Sequence, residues 1–185
     1  MKAEDSHMLN ILYYPVMYIH SDNLLTLYSA RNIVADVILN HWIINQYKLE
    51  NLPASWQPND AISISIFRHW KMIPKIAELI GSYLLRDQLL INKMSLINDK
   101  NLLAFISLPL RHSVCINGRM PVTDYSIWGA AFITGLTLHF PAALRQRLSL
   151  CFSKNIILPE LFIAKTPDNI NLLRMAINYA YDIRE

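Results

Sequence analysis

Glycine is nearly missing. Four residues in 185, at positions 81, 118, 129 and 135, leave no Gly-rich loop of the kind that cradles phosphate. No Gly-x-Ser-x-Gly occurs, so the nucleophile elbow of the serine hydrolases is absent. Cysteine is as rare. Cys115 and Cys151 stand far apart with no Cys-x-x-Cys, which excludes a disulfide scaffold and points to free, buried thiols. His112 and Cys115 form one His-x-x-Cys pair, but no second pair has matching spacing, so no zinc site is expected. Charge is scarce too. Charged residues are 17% of the chain, against roughly 25% in an ordinary soluble domain. The net charge of +3 is spread thinly, with no Lys/Arg run of the length of a nucleic-acid or membrane patch. The densest basic cluster, Arg145 and Arg147 with Lys154 nearby, reads as a solvated helix face. Long apolar runs are also lacking. The best candidate, Ser126 to Leu138, is shorter than the ~20 residues that a bilayer requires. The N-terminal Met1-Lys2-Ala3-Glu4-Asp5 has mixed charge and no secretory layout. A cytoplasmic protein without direct membrane insertion is expected.

Apolar residues are abundant, at 53%. With so little charge outside, that suggests a surface buried against a partner, the alternative being a large core with Asn, Ser and Gln on the outside. The length suits one compact helical domain over residues 1–185, with residues 1–50 as a candidate N-terminal subdomain.

The periodicity predicts an all-α fold of about six helices. Pro15 limits the start of the chain to a short extended or single-turn lead-in, and Ser21-Asp22 to a capped turn. Ser29 is a fair N-cap for a helix to about Tyr47, its inward face formed by Ala30, Ile33, Val34, Val37, Ile38, His41 and Trp42. Two prolines and two asparagines make 51–59 a loop. Ile62-Ser63-Ile64-Ser65-Ile66 alternates like a strand. Yet Asn59 or Asp60 is a good N-cap, and no second strand is there to satisfy its backbone groups, so it is assigned to a helix. Pro74 kinks that helix or starts a new one, whose face continues through Ile76, Ile80 and Tyr83 toward Leu90. Gly81, at a helix interior, suggests close backbone contact with another helix. Asn98 or Asp99 caps a short helix through Ser107. A small hairpin is expected around 112–120. Thr123 or Asp124 caps an apolar, central helix to about His139, and Pro141 opens the next. Thr166, Pro167 and Asp168 start the last, with Ile170, Leu173, Ala176, Ile177 and Ala180 inward.

His20, His41, His69 and His139 each stand alone on apolar segments and read as structural histidines. No nucleophile–base pair or carboxylate pair suited to acid–base work is evident. No enzymatic activity and no cofactor are expected.

Three segments carry a resemblance. The first is Tyr14-Pro15-Val16-Met17-Tyr18-Ile19-His20, followed by Leu24. The second holds Phe67, Trp70, Ile73-Pro74, Ile76, Ala77, Leu79, Ile80 and Gly81, followed by Leu85-Arg86. The third runs from Phe140-Pro141 to Phe152. In this order they resemble the OrgA/MxiK family, the SctK class of type III secretion apparatus proteins. That family has Asp-Pro-x-x-Tyr-Ile-His where this chain has Tyr14 in place of the Asp. It also has an aromatic or Leu, a Trp, a Leu-Pro and an apolar run ending in Gly. Pro15, Tyr18, Trp70, Pro74 and Gly81 are its structural motif positions here.

The resemblance implies a cytosolic adaptor of the secretion sorting platform, peripheral to the inner membrane. It implies two partners, the cytoplasmic domain of the inner-membrane ring protein and the pod protein. Arg68, Lys71 and Lys75 flank the buried face of the second segment and are the candidate partner contacts, though each also fits a solvated helix face. The alternative is a helical nucleic-acid-binding regulator, with Arg145 and Arg147 on a recognition helix. It lacks the several coordinated cations that phosphate binding demands.

Overall fold

A computed structural model describes residues 3–24, 35–91, 99–109 and 124–182. Among these the chain is mainly helical, with nine α-helices and no strand. They are α1 (Ala3–Tyr13), α2 (Asp36–Gln46), α3 (Ala61–Arg68), α4 (Ile73–Leu84), α5 (Arg86–Ile91), α6 (Lys100–Ile106), α7 (Tyr125–Leu136), α8 (Ala142–Leu150) and α9 (Pro167–Asp182). Short 3-10 turns occupy Pro15–Met17, Ser21–Leu24 and Trp70–Met72. The hairpin expected at 112–120 lies outside the described residues, as do Ser29, Thr123, His112 and Cys115. None of the described helices is long and apolar enough to cross a membrane.

The chain forms two compact units. One comprises residues 1–71 and 137–157, the other 72–136 and 158–185.

Several helix starts follow from local chemistry. Asp60 is extended, and its carboxylate accepts from the N–H groups of Ile62 and Ser63, two of the orphan donors of α3. Asp99 does the same for Asn101 and Leu102 of α6. Asp124 accepts from Ser126 N at the start of α7, and Thr166 Oγ1 from Asn169 N in α9. The alternating isoleucines are therefore helical. His69 ends α3, and Pro74 falls in the first turn of a new helix, where its missing N–H costs nothing.

Three expectations need correction. The chain begins with an 11-residue helix, α1, not a short lead-in. The restriction imposed by Pro15 acts on Tyr14, at φ −123° and ψ 54°, and leaves the residues upstream free to coil. α2 begins at Asp36, because Ala35 is extended. Its buried face is Leu39, Asn40 and Ile43, while Val37 and Ile38 are 71% and 62% exposed. Asn40 sets that rotation. Its Oδ1 accepts from Val16 N–H at 2.9 Å, a constraint that hydrophobic spacing does not register. The face of α4 does not continue to Leu90, since Leu85 caps α4 and a separate α5 follows.

In the second unit α4 and α7 cross as antiparallel neighbours at glycine. A Cβ on Gly81 would lie 1.6 Å from Tyr125 O, and one on Gly129 1.6 Å from Ala77 O. Close backbone contact is thus the reason for Gly81. α7 buries Ala130, Ala131, Phe132, Ile133 and Leu136, as an all-apolar helix must. Phe105 sits between Tyr83 and Tyr179, with ring centroids 6.0 and 5.2 Å away. α9 buries Leu172, Leu173, Ala176, Ile177 and Ala180. Gly81→Ala should destabilise this unit by about 2–3 kcal/mol in urea denaturation. Helix propensity favours Ala by ~1 kcal/mol. The clash is with main chain, which cannot swing away, so overpacking outweighs that gain. An unchanged urea midpoint would refute the glycine crossing.

Candidate docking site

The segments that carry the resemblance meet in the first unit. Tyr18 comes from the first, Phe67 and Trp70 from the second, Phe140 from the third. Trp70 packs edge-on to Tyr18 at 6.0 Å and against Phe67 at 5.6 Å. Phe67 touches Phe140 at 5.9 Å, and Trp56 covers both at 5.4 and 5.9 Å. Such pairs contribute ~0.5–1.5 kcal/mol each beyond their buried area. Trp70 is 1% exposed. Tyr18 donates its hydroxyl to Ile11 O at 2.6 Å. Burial raises the Tyr18 pKa, the Cys151 sulfur adds to this, and the nearby Arg147 charge opposes it. Tyr18 and Trp70 are therefore in the core of this unit. Pro15 is buried beside Val16 at the start of its 3-10 turn. Pro74 is exposed, and Gly81 is the helix crossing in the second unit.

Arg147 is not on a solvated face. It is 1% exposed. Its Nε and Nη2 donate to Leu12 O at 3.2 and 3.0 Å, and its Nη1 to Glu50 O and Ala143 O at 2.8 Å each. Burial lowers its pKa, and Tyr18 and Tyr13 partly restore it. A cation spent on three carbonyls offers nothing to a phosphate, so the recognition-helix arrangement loses one of its two arginines. Asn23 is a second polar residue that spacing did not reveal. Its Nδ2 donates to Leu150 O and Phe152 O, its Oδ1 accepts from Lys154 N, and its carbonyl accepts from Tyr47 OH. His69 Nδ1 donates to Ser65 O, and His139 Nε2 meets Ser63 Oγ and Asp60 Oδ2, which accords with structural roles. Cys151 is buried, with its pKa raised by burial.

Above the aromatic cluster lies a groove of about 330 Å³. α1 contributes His7, Asn10 and Ile11, and the turn after it Tyr14, Met17 and Tyr18. Trp70 and Lys71 complete the wall. His7 Nε2 donates to Phe67 O, which ties α1 to the end of α3. Tyr14 and Met17 are about half exposed on the rim. Of the three candidate contacts, Arg68 and Lys71 are exposed and belong to the first unit. Lys75 belongs to the second, where its Nζ pairs with Glu78 at 2.7 Å. Only Lys71 lines the groove. The groove was not foreseen from sequence. Its one local sign was the Tyr14-Pro15-Val16-Met17 turn, whose outward residues are large and apolar.

These features define a mainly helical protein with a groove on its first unit that is walled by aromatic rings and bears Lys71. A family model described as a bacterial type III secretion apparatus protein, OrgA_MxiK, matches residues 8–182, and the chain belongs to that family. No curated protein and no solved structure matches it.

Proposed function

We propose that the protein is a non-enzymatic adaptor of the sorting platform of a type III secretion apparatus, at the cytoplasmic face of the inner membrane. It would link the cytoplasmic domain of the inner-membrane ring protein to the pod protein. The family match over 8–182 carries this reading. An adaptor holds two partners at once and needs two separate surfaces, and the division into two compact units supports this reading. Large apolar side chains left exposed, such as Phe162 at 86%, suit a mechanism of shape complementarity around a few anchors.

Joint reversal of Arg68→Glu, Lys71→Glu and Lys75→Glu should weaken one partner at least tenfold in pull-down and leave the other bound. The fold should persist, because all three side chains reach solvent and the Lys75–Glu78 pair is worth under ~1 kcal/mol. Deleting the gene in a bacterium with an otherwise functional apparatus should abolish secretion. Normal secretion in that deletion would end the adaptor reading.

A further inference from the structure

We infer that the groove between α1, the Pro15–Met17 turn and the Trp70 turn is a peptide-docking site for an acidic segment bearing a large apolar side chain. This rests on the adaptor reading and names the chemistry of one of its partners. Four observations support it. The groove has the volume of a ligand pocket, about 330 Å³. Its deep wall is Ile11 with the Tyr18 and Trp70 rings, which are buried and apolar. Its rim is Tyr14 and Met17, each about half exposed, which leaves apolar surface open to a partner's side chain. Among the described residues its lining includes the cation Lys71 and no carboxylate, and Arg68 is exposed three residues away in sequence.

That wall is rigid. His7 is hydrogen-bonded to Phe67 O, and Tyr18 to Ile11 O, so the wall residues are held before any partner arrives. Preformed walls reduce the ordering cost of binding. The apolar anchor would supply most of the affinity, as buried anchors do at interfaces. An exposed charge pair at Lys71 contributes less, but it makes binding weaken with salt and rejects basic segments.

The test uses the full-length protein and two separate assays. A random short-peptide library is selected against it, and the enriched peptides are titrated at low and high salt. In parallel the pod protein and the ring protein's cytoplasmic domain are co-purified with it. Met17→Glu and Lys71→Glu are compared with the parent chain, their folding checked by circular dichroism. The inference expects enriched peptides with a carboxylate beside an aromatic or leucine. It expects tenfold or greater loss of binding in Met17→Glu, several-fold loss in Lys71→Glu, and weaker binding at high salt. Selection of neutral or basic peptides, unchanged binding in both variants, or binding to anionic vesicles in place of peptide would overturn it. Failure of the parent chain to capture either protein would instead overturn the adaptor reading, while the peptide selection still decides the groove.

Discussion

Arg147→Ala is expected to cost about 3–5 kcal/mol, a large share of the ~5–15 kcal/mol that holds a typical domain. The guanidinium caps the end of α1. Leu12 O is one of the last carbonyls of that helix, which have no partner within it, and Arg147 gives it two donors. The negative end of the helix dipole adds to the attraction. A third donor closes the Glu50 loop onto α8. Alanine removes these bonds, leaves two carbonyls without donors at ~1–3 kcal/mol each, and opens a cavity. Arg147→Lys should recover less than half of the loss, because an ammonium cannot span the carbonyls as a planar fork does. Urea denaturation monitored by circular dichroism checks both. A loss under ~1 kcal/mol for alanine would show that Arg147 is dispensable to the fold.

Arg147 also marks where sequence reading stops. Asp60, Asp99 and Thr166 were legible because a cap acts on donors two or three residues away. Gly81 was legible because a glycine inside a helical period needs a reason, and close packing is the common one. The burial of Arg147 depends on Leu12, 135 residues earlier. Asn40 fixes the rotation of α2 through Val16, 24 residues earlier, and overrides the apolar stripe that Val37 and Ile38 suggest. A polar residue amid apolar neighbours gave the only hint, and it does not name a partner. The groove was hidden for the same reason. Its wall draws on residues 7 to 18 and 70 to 71, and no period links them. The three motif segments were visible singly, but their meeting in one aromatic cluster is tertiary.

Trp70→Ala should be comparably severe, at ~3–5 kcal/mol, the range for removing a large aromatic from a packed core. The ring holds Tyr18 on one side and Phe67 on the other, so its loss loosens contacts to both. A second substitution separates packing from hydrogen bonding. Trp70 Nε1 is buried with no hydrogen-bond partner among the described residues, and an unmet donor there costs ~1–3 kcal/mol in the folded state. Trp70→Phe gives up part of the ring area and sheds that penalty as well. It should therefore cost less than half as much as alanine. Trp70 forms part of the deep wall of the groove, so Trp70→Phe should keep the fold and still weaken the acidic peptide measurably. If Trp70→Ala leaves stability intact and abolishes partner binding alone, the residue is a surface anchor and not part of a buried cluster. If Trp70→Phe costs as much as Trp70→Ala, the indole N–H contributes to stability and must have a partner in solution.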